Sequence, residues 1–337
     1  MSTPLVTFVV PCYNYGRFLR DCLRGIFGQQ GGFEEIEVIA IDDFSTDDTW
    51  DLLTRWDDPR LKRLRHSANR GHVATVNEGL SAARGKFVAR IDPDDRYRPS
   101  FLANLLPLFE KDPRIGFVYG DAAMIDATGE ITAERCPQPH GGRPFDGWAL
   151  LDILKRNYIC APTAIARREA WQKHLPIWDG LAFNDIYFNM MIARDWHFAY
   201  VPQVVADYRV HGTNHHSQIT LSKSEEPSLM RVLDWIYAHP EADPQRERRK
   251  QASKCDVYAA HYLDLAEKYF GAGHNGDARR CYWRAFRRRP ALARSPGTLR
   301  HFAATLSGRR AYEMGKRWIA GRRESLAPVE EVMVGRD

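Results

Sequence analysis

Asp92-Pro93-Asp94-Asp95 places three carboxylates within four residues. Crowded acids repel unless a cation, a hydrogen-bond donor or a bound hydroxyl offsets the charge. Two of them one residue apart, Asp92 and Asp94, suit the joint task of gripping a ribose hydroxyl and a hard divalent cation. Mg²⁺ usually takes one or two protein carboxylates and fills its other positions with water and phosphate oxygens; Mn²⁺ accepts similar oxygen ligands. The same four residues also suit a plain turn into a helix starting near Ser100. Asp42 and Asp43 form a second acidic pair, of which Asp42 is a candidate acceptor for a base N–H or a ribose hydroxyl. Ser45, Thr46 and Asp47 beside them equally suit the cap of the helix carrying Trp50, Leu52 and Leu53. Asn69-Arg70-Gly71 offers a guanidinium for a phosphate and a glycine for a tight turn.

These groups matter only if the fold brings them together. The apolar runs Leu5–Val10, Ile36–Ile41, Leu61–Leu64, Phe87–Ile91 and Ile115–Tyr119 read as strands. Between them Phe18, Leu19, Cys22, Leu23, Ile26 and Phe27 recur at helical spacing, as do Val73, Val76, Leu80 and Ala83, then Phe101, Leu102, Leu105 and Phe109. Such alternation predicts an α/β fold, a Rossmann-like, mostly parallel sheet with helices on both faces. Ligands of such sheets sit at the carboxyl ends of the strands. Pro11-Cys12-Tyr13-Asn14-Tyr15, Asp42–Asp47 and Asp92–Asp95 all follow strands, so they are expected to converge on one edge. Residues 122–221 should complete the site, ending in a pair of strands at Phe198–Val201 and Val205–Val210. A loop over Asn214–Pro227 then leads to a helical region, residues 222–337.

The residues together resemble glycosyltransferase family 2, whose members have the GT-A fold. The resemblance rests on Val9-Val10-Pro11-Cys12-Tyr13-Asn14, Glu37 through Asp47, Asn69-Arg70-Gly71, Gly85-Lys86-Phe87-Val88 and Ile91-Asp92-Pro93-Asp94-Asp95, in one order over residues 5–213. It implies an inverting transferase acting on a nucleotide-diphosphate sugar, UDP-sugars foremost, with a Mg²⁺ or Mn²⁺ cofactor. The nucleotide then falls to Pro11, Tyr13, Asn14, Asp42, Arg70 and Asp92, and the metal to Asp94. His211, in Tyr208-Arg209-Val210-His211-Gly212-Thr213, matches a histidine that approaches metal or diphosphate, although a lone histidine is as often structural. Asp185 matches the second member of an acidic pair that serves as general base, while Asn184 replaces the usual Glu before it. By the same resemblance residues 1–221 form the catalytic domain, with 1–121 the nucleotide-sugar half and 122–221 the acceptor half. Asn157–Thr163 and Trp178 are candidates to line the sugar or acceptor pocket.

The rest of the chain sets the context. Its 337 residues carry 44% hydrophobic and 27% charged side chains, an ordinary composition for a folded protein with a sizeable core. Six scattered cysteines without a CxxC pair suggest neither a zinc site nor a disulfide framework. Met1–Pro4 has no basic residue and no apolar run nears the roughly 20 residues of a membrane span, so the expected location is the cytoplasm. Residues 256–290 space Ala260, Leu263, Ala266, Tyr269, Gly271, Ala278, Ala285 and Pro290 as one tetratricopeptide-like helix pair would. From Arg279 to Arg323 fourteen lysines and arginines face the single acid Glu313, so the remainder of a chain of net charge +5 is acidic. Interleaved Phe286, Leu292, Leu299, Phe302, Leu306, Tyr312 and Trp318 make this tail a candidate for peripheral contact with anionic membrane at its inner face, with a solvated helical face as the alternative. The expected partners are the donor, a hydroxyl-bearing glycan or lipid-linked acceptor and a second copy of the chain; no nucleic-acid-reading motif is present. Two other classes compete. A sugar-nucleotide nucleotidyltransferase needs a Gly-rich first loop that Pro11–Gly16 lacks, and a non-catalytic scaffold leaves Asp92, Asp94 and Asp185 without purpose.

Overall fold

A computed structural model describes residues 3–32, 35–136, 139–211 and 222–308. Contacts divide the chain into two units, Met1–Gln251 and Ala252–Asp337.

The first unit is built on one sheet. Its strands are β1 (Val6–Cys12), β2 (Ile36–Asp42), β3 (Leu61–Arg65), β4 (Phe87–Arg90), β5 (Arg96–Tyr97), β6 (Ile115–Ile125), β7 (Ile131–Ala133), β8 (Phe145–Gly147), β9 (Ala164–Arg167) and β10 (His197–Arg209). Every residue of β1 and β2 is buried, which is why they read as continuous apolar runs without alternation. Val6, Phe8 and Val10 pack in a core with Leu19, Cys22, Leu23 and Ile26 of helix α1 (Gly16–Phe27). On the other face lies α3 (His72–Ala82), approaching so closely that a Cβ on Gly79 would lie 2.3 Å from a Val9 methyl. Helices thus cover both faces.

The strand order is β3-β2-β1-β4-β9-β6-β10-β5, with β7 beside β6 and β8 beside β10. β1 pairs in parallel with β2 and β4, β2 with β3, and β6 with β10. The sheet is mixed, because β9 runs antiparallel between β4 and β6. The chain builds outward from β1 to β3 and then returns to β4 on the other side of β1. That reversal parts the loops after β1 and β4 and opens a crevice at their carboxyl ends.

Two expectations change here. The closing pair of strands is one strand, β10, whose register with β6 shifts around Pro202 and Val204. The predicted loop up to Pro227 ends earlier, since a helix begins at Glu225 and runs to Ala238; residues 212–221 lie outside the described ones. Further along, a helix spans Pro244–Gly271. In the second unit Asn275–Arg288 and Pro296–Ser307 are helical. No helix among the described residues is long and apolar enough to cross a membrane.

Candidate active site

The loops after β1 and β2 are joined side by side. Asn14 takes the left-handed conformation (φ 58°), donates its N–H to the Ser45 hydroxyl at 2.9 Å and accepts from the Thr46 N–H at 2.8 Å. Asp47 accepts the Gly16 N–H at 3.0 Å, and the hydroxyl of Thr49, the first residue of α2 (Thr49–Arg55), accepts the Tyr15 N–H. Asp42 is wholly buried at the end of β2, where it accepts the Ser45 N–H at 3.1 Å and pairs with Arg65 Nε at 3.0 Å. Asp43 accepts the N–H groups of Arg70 and Gly71 at 2.7 and 2.8 Å and contacts His66 at 2.6 Å. Gly71 meets this demand at φ 86°, a conformation that favours glycine. Several polar residues read as ligands from sequence therefore first build the loop framework. Arg70 pairs with Glu78 at 2.8 Å and stays half exposed. Pro11 is buried inside β1. Tyr13 and Phe44 are left exposed at 44% and 45%, presenting aromatic rings beyond the paired strand ends Cys12 and Asp42.

The acidic cluster follows β4 directly. Arg90, only 6% exposed, donates to Asp92 at 2.7 Å and lies 3.3 Å from His72 Nε2. Asp94 Oδ2 lies 3.0 Å from His211 Nε2. Burial, then the neighbouring Asp92, raises the Asp94 carboxyl above the usual carboxylate range, against the lowering pull of His211. Burial and the other two acids push Asp95 higher still, although it accepts the Arg209 N–H at 2.9 Å. The Arg209 guanidinium fixes the loop, donating to the Asp94 carbonyl at 2.7 Å and to the Asp126 carbonyl at 3.0 Å. The His211 ring packs against Phe18 at 5.0 Å and Tyr15 at 6.2 Å, so the β1 side and the acid cluster share one wall.

No group of three or more metal-binding side chains meets among the described residues. The pair Asp94 and His211 nevertheless fits a divalent cation. Two ligands at right angles on an octahedral ion with bonds of about 2.1 Å stand roughly 3 Å apart, which is their separation here.

Asp185 opens the helix Asp185–Asp195, whose cap residue is Asn184. It lines a pocket with Arg90, Asn184, Asn189, Trp171 and Ile159. Asn189 is oriented by a hydrogen bond to Asn157 at 3.0 Å. Burial raises the Asp185 carboxyl, an effect that Arg90 opposes and Asp92 reinforces. Asp92 and the expected base Asp185, 93 positions apart in sequence, thus both neighbour the Arg90 guanidinium, one by a direct bond and the other across the pocket.

With this geometry in place, the relatives of the chain are informative. Residues 7–175, half of the chain, match glycosyl transferase family 2. The chain belongs to glycosyltransferase family 2. This family member is 27% identical over 255 residues to an uncharacterized glycosyltransferase of Haemophilus influenzae, covering 70% of this chain and 76% of that one. It is 36% identical over 146 residues to the putative glycosyltransferase EpsH of Bacillus subtilis, covering 43% and 41%. Among solved structures it is similar to residues 1–349 of S. aureus TarS in complex with UDP-GlcNAc (TM-score 0.63, 18% identity, 93% and 91% covered). It is also similar to the Pyrobaculum calidifontis mannosyltransferase PcManGT in complex with GDP-Man and Mn²⁺ (TM-score 0.60, 19% identity, 91% and 81% covered). The fold is of the GT-A type, and the protein is a glycosyltransferase.

For this glycosyltransferase the structure gathers Asp92, Asp94, Asp185 and His211 around the crevice, with Tyr13 at its rim. Asn14 and Asp42 are engaged in the loop framework. Trp178 packs against Tyr187 and Trp235, away from the residues lining the Asp185 pocket. Sequence reading passed over Arg90, His72 and Arg209. The signal available for the two arginines was a charge set inside an apolar strand run, which is uncommon unless a partner is built for it.

Proposed function

We propose that this glycosyltransferase moves a sugar from a nucleotide-diphosphate sugar, UDP-sugars foremost, to a hydroxyl of a glycan or lipid-linked acceptor, with inversion at the anomeric carbon. The observation that carries this reading is the meeting of Asp92 and Asp185 on either side of Arg90 at the carboxyl end of the sheet. A hydroxyl is a poor nucleophile at neutral pH, and a carboxylate made more basic by burial is a better proton acceptor than a free aspartate. Asp185 takes the acceptor proton as the oxygen attacks from the face opposite the leaving diphosphate. One displacement inverts the centre, and no second carboxylate is needed for a covalent intermediate. Asp92 receives the ribose, Tyr13 the nucleotide base, and the Asn14 and Asp42 framework holds the base-side loop in shape. Arg70, half exposed beside α3, serves the phosphates. Asp94 and His211 would hold Mg²⁺ or Mn²⁺, which when bound neutralises charge on the departing diphosphate. The complexes of TarS with UDP-GlcNAc and of PcManGT with GDP-Man and Mn²⁺ support the donor class and the cation.

A role in polysaccharide assembly is supported by a 36% identity over 105 residues to the succinoglycan biosynthesis protein ExoO of Rhizobium meliloti. The basic helical unit supports work at an anionic membrane surface. The test is to incubate the full chain with a panel of nucleotide sugars and Mn²⁺ or Mg²⁺ and to measure release of nucleoside diphosphate. Release of pyrophosphate instead, or no thermal shift with any nucleotide sugar, overturns the reading.

A further inference from the structure

Arg90 ends β4 as a cation inside a strand whose other residues, Phe87, Val88 and Ala89, are all buried and apolar. A buried guanidinium is costly unless its charge is matched. One match is direct, the 2.7 Å bond to Asp92. The other is Asp185, which lines the same pocket and attracts Arg90 without a direct ion pair. Arg90 is buried and Asp185 half-buried, so the attraction is screened less than it would be in bulk solvent.

Charged and titratable groups that face Asp185 include Arg90 from β4, Asp92 from the loop after it and the Cys160 thiol from the segment before β9. Other walls of the pocket, Phe117, Ile159, Ala161, Ala164 and Trp171, carry no charge. Among the residues lining this pocket, Arg90 is the positive group. Asn184 stands next to it, 3% exposed and neutral. A carboxylate in its place would add a second negative charge beside Asp185 and compete for the same guanidinium.

We propose that Arg90 is the positioning residue of the reaction centre, a counter-charge shared by donor-side Asp92 and base Asp185, and that neutral Asn184 keeps that counter-charge undivided. The proposal rests on Asp185 being the base and adds how one cation couples the two halves of the site. Arg90 opposes the effect of burial on the base, so its loss lets the Asp185 carboxyl rise further and moves the loss of activity on acidification to higher pH.

The experiment is the pH profile of kcat/KM for nucleoside diphosphate release by the full chain. Arg90→Met is expected to shift the acid limb upward by about one pH unit, a roughly tenfold loss at pH values below the limb that recovers on the alkaline side. Asn184→Asp should move the limb in the same direction, and Arg90→Lys should leave it near the wild-type position. Wild-type limbs in both Arg90→Met and Asn184→Asp, or a loss in Arg90→Met of equal size at every pH, would overturn the proposal. If Arg90→Met does not fold, the limb of Asn184→Asp decides alone. A wild-type enzyme that releases no nucleotide from any nucleotide sugar would sink the transferase reading instead.

Discussion

Acids in this protein do different work according to what surrounds them. Asp43 spends its oxygens on the Arg70 and Gly71 amides and His66, Asp42 on Ser45 and Arg65, and both are closed off by the loops they hold. Among the described residues Asp185 has no such partner side chain in hydrogen-bond reach, only its place at the start of its helix, with backbone N–H groups lowering its carboxyl against burial. Asp185→Asn keeps the shape and removes the proton acceptor. It should lower kcat by at least about a hundredfold while nucleotide-sugar binding, read by calorimetry, stays near wild type. Full activity in that variant would move the base elsewhere. Asp94→Ala removes the acid facing His211, so donor binding should lose its dependence on Mn²⁺ or Mg²⁺ while the metal-independent part persists. A titration unchanged by the substitution would take the cation away from this pair.

At the scale of elements, the loop carrying Asp94 and Asp95 is fixed from the far side of the sheet. Arg209, 1% exposed, reaches from the end of β10 to the carbonyls of Asp94 and Asp126, while its N–H holds Asp95. Its guanidinium also lies over the Phe18 ring at 4.7 Å. Arg209→Met keeps much of the volume but strands the buried Asp94 carbonyl and the half-buried Asp126 carbonyl, so it should cost on the order of 3 kcal/mol in urea unfolding. Donor affinity should fall with it, because the acid loop loses its anchor. A stable variant with normal affinity would show that β4 alone holds the loop.

Legibility followed the same division. β1 and β2 were readable because seven consecutive buried residues leave a strong apolar run. β9 was not, since Ala164-Ile165-Ala166-Arg167 is short and owes its strand conformation to β4 and β6 on either side. Pro202 and the irregular register around it made β10 look like two strands. The acids of the site were visible as a motif. The arginines that organise them were not, because a charge in a strand acquires meaning only from the partner that tertiary packing supplies.

In the whole molecule, charge is segregated along the chain, and the second unit shows how. Phe302 packs edge-on to Phe286 at 5.6 Å and to Tyr282 at 6.0 Å, forming a small aromatic core. Around it Trp283, Leu299 and Leu306 remain 60%, 42% and 67% exposed. Arg287, Arg294 and Arg300 are exposed as well, and from Arg279 to Gly308 the sequence has no acid. Exposed apolar groups among arginines fit the boundary between lipid headgroups and acyl chains better than they fit water. Each arginine near an anionic surface contributes about 1 kcal/mol. The full chain should therefore sediment with vesicles containing anionic lipid, less so as salt is raised, and not with vesicles of neutral phosphatidylcholine. Reversing two charges, Arg287→Glu with Arg294→Glu, should weaken that association by at least about tenfold, and Trp283→Ala should weaken it without changing its salt dependence. Nucleotide-sugar turnover in solution should survive both changes, since Asp92, Asp94 and Asp185 all belong to the first unit. Equal sedimentation with neutral vesicles, or none with either kind at low salt, would leave these arginines as a solvated face and detach the enzyme from the membrane.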